Sequence, residues 1–118
     1  MILNVDHIDL KVPDLEASVA FFTTLGMVVI RRTESPRHSV EMALPGDQQV
    51  LFELRENKAS EQTTIDHIAF AVDDTVSTLE HLKAAGIGFN RENHLVADTG
   101  RYVSNFKDPH GGKWQLSE

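Results

Sequence analysis

Cysteine is absent from the chain. That excludes a disulfide framework, a thiolate metal site and a thiol nucleophile, so any metal must be held by nitrogen and oxygen ligands. Basic residues are scarce against acidic ones: 11 Lys and Arg stand beside 18 Asp and Glu, for a net charge of −7. Nucleic acid is therefore not an expected partner, because phosphate neutralisation needs clustered Lys and Arg. The acidic balance favours solubility and suits a cationic ligand. No apolar run approaches the roughly 20 residues of a membrane span. No basic segment followed by an apolar stretch opens the chain, so no signal peptide is expected and the cytoplasm is the expected compartment. The rest of the composition is ordinary. With 118 residues, 41% hydrophobic and 25% charged, there is enough for one compact unit with a real core and too little for two independent domains.

What the chain does have is an internal repeat. Val5-Asp6-His7-Ile8-Asp9-Leu10-Lys11-Val12-Pro13-Asp14 returns 60 positions later as Ile65-Asp66-His67-Ile68-Ala69-Phe70-Ala71-Val72-Asp73-Asp74. At the same offset Gly26 meets Gly86 and Arg31 meets Arg91. The first copy reads as a strand over 5–12, with Ile8, Leu10 and Val12 on one face and His7, Asp9 and Lys11 on the other. Asp14 caps a helix over about 15–25, whose stripe is Leu15, Val19, Phe22 and Leu25, and Gly26 ends it. Strands follow over 27–32, 39–44 and 49–55, separated by a turn at Pro36 and a hairpin at Pro45-Gly46-Asp47. In the last of them Leu51, Glu53 and Arg55 lie opposite Val50, Phe52 and Leu54. The second copy repeats the order: a strand over 65–72, a helix carrying Val76, Leu79, Leu82 and Ala85, Gly86, then strands near 87–91, 101–107 and 112–117. The polar stretch 92–100 reads as a loop over a cavity. The expected organisation is module one at 1–56, a polar linker at 57–64 and module two at 65–118.

Two β-α-β-β-β modules in tandem, with Asp6-His7-Ile8, Asp66-His67-Ile68, Val50-Leu51-Phe52-Glu53-Leu54 and Phe106-x-Asp108-Pro109-x-Gly111-x-x-x-Gln115-Leu116, resemble the vicinal oxygen chelate superfamily over the whole chain. That superfamily includes glyoxalase I, methylmalonyl-CoA epimerase, extradiol dioxygenases, fosfomycin-resistance enzymes and bleomycin-binding proteins. The resemblance implies an α+β fold: a curved mixed sheet with helices on its outer face, and commonly a homodimer. It also implies one metal-ligand position on the first and last strand of each module. Here those positions are His7, Glu53, His67 and Gln115. Strand phasing agrees, since all four lie opposite the apolar face of their strands. Two imidazoles, a carboxylate and an amide oxygen suit a divalent metal: Zn, Ni, Mn, Fe or Co.

By that resemblance the expected activity is a metal-dependent lyase or isomerase of glyoxalase type, acting on a small 2-oxo compound or its thiol adduct. Glu53 is the expected base, because Gln115 stands where most metal-using members carry glutamate and an amide cannot take a proton. The alternative is a non-catalytic drug-binding protein of bleomycin-binding type, which the acidic charge suits but which has no need of His7, Glu53 and His67. An extradiol dioxygenase ranks third, since that group carries glutamate at position 115 and a tyrosine four residues before the proline, where this chain has Asn105.

Other polar residues carry weaker signals. Arg31, Arg32, Arg37, Arg55 and Arg101 are each able to hold a substrate carboxylate, though solvated strand or loop arginines are the expected reading for any one of them. Arg55 shares a face with Glu53 and is either its supporting partner or an ion pair. Asp9 and Lys11 either orient His7 or pair with each other. His38, His81, His94 and His110 are expected at the surface, and Trp114 in the core.

Overall fold

A computed structural model describes residues 1–118. The elements are β1 (Ile2–Val12), α1 (Leu15–Thr24), β2 (Val28–Arg32), β3 (Ser39–Ala43), β4 (Leu51–Glu56), β5 (Thr64–Val72), α2 (Thr75–Ala84), β6 (Phe89–Val96), β7 (Arg101–Lys107) and β8 (Lys113–Ser117). The class is α+β, with the β-α-β-β-β order occurring twice, as the repeat predicts. The chain forms two compact units. The first is His7–Asp66; the second joins His67–Glu118 with the opening residues Met1–Asp6.

In the first unit the strand order is β2-β3-β4-β1. β1 runs parallel to β4, while β3 is antiparallel to both β4 and β2. The register aligns apolar residues across strands: Ile8 with Phe52 and Met42, Leu10 with Leu54 and Val40. These residues, with Val12 and Met27, make one face, and α1 covers it with Leu15, Val19 and Phe22. Phe22 stacks on Phe52 with ring centroids 6.1 Å apart. The helix starts where Asp14 accepts the Ala17 amide at 3.1 Å. It stops because Gly26 takes φ +104, a conformation that a residue with a Cβ rarely adopts.

In the second unit the order is β5-β8-β7-β6, again with one parallel pair, β5 with β8. Val72, Leu79 and Leu116 form its buried centre, with Phe70, Leu82, Phe89 and Phe106 packed around them. Asp74 caps α2 as Asp14 caps α1. Trp114 is half-buried: it stacks on Phe70 at 5.6 Å and donates from Nε1 to Asp108 at 2.9 Å.

Two expectations are corrected. The stretch read as a loop over 92–100 is mostly strand, since β6 continues to Val96 against β7. It escaped the pattern because it lies at the end of the strand order, where residues 90–95 are exposed and backbone pairing requires no apolar side chains. Its irregular register is held where the Asn93 amide donates to Ser104 Oγ at 2.8 Å. Leu25 and Val76, counted in the helical stripes, are exposed. No helix is long and apolar enough to cross a membrane.

Candidate functional site

The first unit's second sheet face is built from the residues that alternate with its core. The same register that stacks Leu10, Leu54 and Val40 sets Asp9 beside Glu53, Glu53 opposite Glu41, and Glu41 opposite Arg31. Three carboxylates thus lie in one row across three adjacent strands. All three are buried, at no more than 1% exposure. Like charges in register oppose folding unless cations interleave. Here they do. Arg31 lies 3.8 Å from Glu41. Arg55 donates to Asp9 Oδ1 from Nε at 3.1 Å and from Nη2 at 2.8 Å, and reaches Asp66 at 3.4 Å. Lys11 pairs with Asp66 at 3.2 Å. Arg37, from the loop between β2 and β3, donates from Nη2 to Glu53 Oε1. Arg55 is therefore an ion-pair partner, and Asp9 and Lys11 pair with other residues rather than with each other.

His7 is buried two residues before Asp9, on the same face of β1. Burial pushes the Glu53 carboxyl above its ordinary pKa, and the Asp9 carboxyl alongside pushes it further; Arg37 and His7 pull the other way without restoring it. Asp9 Oδ2 is buried with no hydrogen-bond partner. An orphaned carboxylate oxygen beside a buried carboxyl whose pKa is raised marks a place short of positive charge. A divalent cation held by His7 and Glu53 answers that shortage, so the residues present fit such an ion.

The second unit carries the matching positions without the charge. Ala69 pairs with Gln115, and Gln115 with Asn105, as Asp9 pairs with Glu53 and Glu53 with Glu41. His67 precedes Ala69 by two residues, as His7 precedes Asp9. Gln115 Nε2 donates to Asn105 Oδ1 at 2.9 Å, which fixes the orientation of the amide. The row equivalent to Asp9–Glu53–Glu41 is therefore neutral. The candidate ligands divide into an acidic pair, His7 with Glu53, in one unit and a neutral pair, His67 with Gln115, in the other.

Glu41 was missed from the sequence, although a lone glutamate between Val40 and Met42 carried the signal: period two places it on the polar face. Arg37 had no local signal, because a loop residue has no periodicity. Of the remaining arginines, Arg32 pairs with Glu16 at the surface, and Arg101, largely buried, lies 3.5 Å from Asp6. His38, His81, His94 and His110 are exposed as expected.

A duplicated β-α-β-β-β unit, with His/Glu at two positions of one copy and His/Gln at the matching positions of the other, defines the class of fold. The chain belongs to the Glyoxalase/Bleomycin resistance protein/Dioxygenase superfamily, whose model matches residues 4–116. It is 31% identical to a lactoylglutathione lyase of Salmonella typhimurium, over 95% of this chain and 90% of that protein. It is 30% identical to that of Haemophilus influenzae, over 98% and 93%. Among solved structures it resembles Streptomyces coelicolor methylmalonyl-CoA epimerase, with TM-score 0.82 and 20% identity over 99% of this chain and 97% of that one. The Mycobacterium tuberculosis epimerase also gives 0.82, at 18% identity over 99% and 88%. At those identities the epimerases speak for the fold alone.

Proposed function

We propose that this chain is a divalent-metal-dependent lyase or isomerase of glyoxalase type, acting on the thiol adduct of a small 2-oxo compound. The observation that carries the reading is Glu53: a fully buried carboxyl with a raised pKa, next to His7, in a chain whose curated relatives are lactoylglutathione lyases. A carboxyl poised above its ordinary pKa is suited to take a proton from carbon and return it. In the proposed reaction Glu53 removes the proton from the carbon bearing sulfur and hydroxyl and delivers it to the adjacent carbon, while the hydroxyl proton passes to the neighbouring carbonyl oxygen. The thiol adduct becomes a 2-hydroxy thioester with no net change in atoms or electrons. The metal supplies Lewis-acid stabilisation of the oxygen charge that develops meanwhile. Its proposed ligands are His7, Glu53, His67 and Gln115, drawn from one chain or from the two chains of a homodimer.

Turnover of the hemithioacetal of methylglyoxal and glutathione, measured with metal analysis on protein purified without chelator, tests the reading. About one divalent ion per site and a 2-hydroxy thioester product are expected. Bound metal without turnover would leave a binding protein. Absence of metal, with no gain in thermal stability from Ni, Zn, Mn, Fe or Co, would end the metal assignment.

A further inference from the structure

The acidic row has a neighbour of the opposite character. Two residues along β1, β3 and β4 from Asp9, Glu41 and Glu53, the register sets His7 beside Leu51 and Val28 beside Ala43. The pairing of Met42 with Phe52 brings Ala43 opposite Leu51. His7, Leu51, Ala43 and Val28 therefore cross four strands as a second row, on the same face as Glu53 and Glu41. The row is buried at His7 and Ala43, half-buried at Leu51, and open at Val28, which is 47% exposed on the outermost strand. Val29 and Ile30 follow it and are exposed too. Three β-branched residues in water on an unpaired edge, with no lysine or proline among them, are what folded proteins ordinarily avoid. The second unit does not repeat the arrangement. The pairing of Ile68 with Trp114 brings His67 beside Lys113, and Lys113 pairs with Lys107. The module folds with either row, so the fold does not require the apolar one.

We propose that Leu51, Ala43 and Val28 form the subsite for the carbon substituent of the 2-oxo compound, and that this substituent is an aryl or branched alkyl group rather than methyl. The row starts at His7, so a ligand held there meets Leu51 first and Ala43 next. Three adjacent strands span about 10 Å. A methyl group covers one residue of that width, whereas a ring or a branched chain covers the small Ala43 and touches the larger side chains on either side. Hydrocarbon laid there takes apolar surface out of water on both partners, and the open end at Val28 admits it. The lysines at the matching positions of the second unit offer no such surface, so the preference belongs to the first unit alone. The inference rests on the glyoxalase-type reading for what the substituent is attached to; the apolar subsite itself does not.

Binding of the glutathione thioesters of mandelic and lactic acid to the full chain supplied with zinc, by calorimetry, tests the subsite. The two ligands share the thiol part and differ only in carrying phenyl or methyl on the same carbon. Wild type should favour the mandelic thioester by about tenfold or more, the difference expected when a ring is buried against hydrocarbon. Leu51→Asn should lose most of that preference. Val28→Asn, a change at an exposed position that the fold tolerates, should lose part of it. Phe21→Asn, an exposed apolar residue on α1 and outside the row, should keep it. A wild-type preference below about threefold overturns the inference. So does a preference that survives both Leu51→Asn and Val28→Asn, equal weakening of both thioesters by them, or failure of wild type to bind either. Hemithioacetal turnover, measured alongside, separates this outcome from the fate of the glyoxalase reading. Turnover without the preference keeps the function and loses the subsite; the preference without turnover keeps the subsite and leaves a binding protein.

Discussion

Replacing Arg55 by methionine removes the cation that holds the acidic row together. Arg55 makes two bonds to one Asp9 oxygen, at 2.8 and 3.1 Å, and lies 3.4 Å from Asp66 and 3.9 Å from Glu53. Asp9 and Glu53 have no solvent exposure, so water cannot replace the lost partner. Burial works against the charge on Arg55. The hydrogen bond to Asp9 and the attraction of Asp9, Asp66 and Glu53 outweigh it and raise the arginine pKa, so the cation persists at every working pH. Removing one partner of a buried ion pair costs about 3–5 kcal/mol. Arg55 keeps 29% of its side-chain exposure, and that part of its interaction is screened, so the lower end, about 3 kcal/mol, is expected. For a chain of this size that lowers Tm by roughly 10–15 °C. Asp9→Asn takes away the charge that Arg55 serves, so the double variant should cost less than the sum of the single ones. Urea unfolding of the four proteins gives a coupling of about 2 kcal/mol if the row is as described. A loss below about 1 kcal/mol for Arg55→Met, or additivity within about 0.5 kcal/mol, would refute it.

Glu53→Gln keeps an oxygen donor but removes the proposed base, so turnover of the hemithioacetal should fall about 10²–10⁴-fold. In the metal-free protein, burial and then Asp9 raise the Glu53 pKa. The same shift has a stability sign. A carboxyl whose folded pKa is raised favours the fold while protonated, and that contribution is lost as pH rises through the folded pKa. Metal-free Glu53→Gln should therefore match wild type in acid and melt higher at neutral pH. Nickel or zinc at a hundred times its Kd should stabilise wild type by about 2.7 kcal/mol, and His7→Ala or His67→Ala should abolish most of the thermal shift. Leu54 is fully buried in the first unit's core, so Leu54→Ala should cost about 2–5 kcal/mol in denaturant unfolding while bound-metal stoichiometry stays unchanged.

Much of the fold can be read along the chain because its rules are local. Period-two alternation sets Ile8, Leu10 and Val12 against His7, Asp9 and Lys11. Asp14 and Asp74 cap helices through their own side chains, and Gly26 and Gly86 end them through backbone freedom. The repeat carries these readings from one module to the other. Strand β6 escaped because an exposed strand bears no apolar alternation, and its hydrogen bonds come from backbone that every residue shares.

By itself, the sequence determined the two modules, the faces of their strands and the residue types that face offers: imidazole, carboxylate and amide, with no thiol. Only the tertiary structure decided which charges meet. Strand register set Asp9, Glu53 and Glu41 in one row although they come from three separate strands, and a loop with no periodic signal brought Arg37 onto Glu53. Burial then changed what those groups are, lifting the Glu53 pKa and stranding an Asp9 oxygen without a partner. The physical reason is that alternation depends on neighbours two residues apart, whereas electrostatics depends on distance through space and on the water that packing has removed.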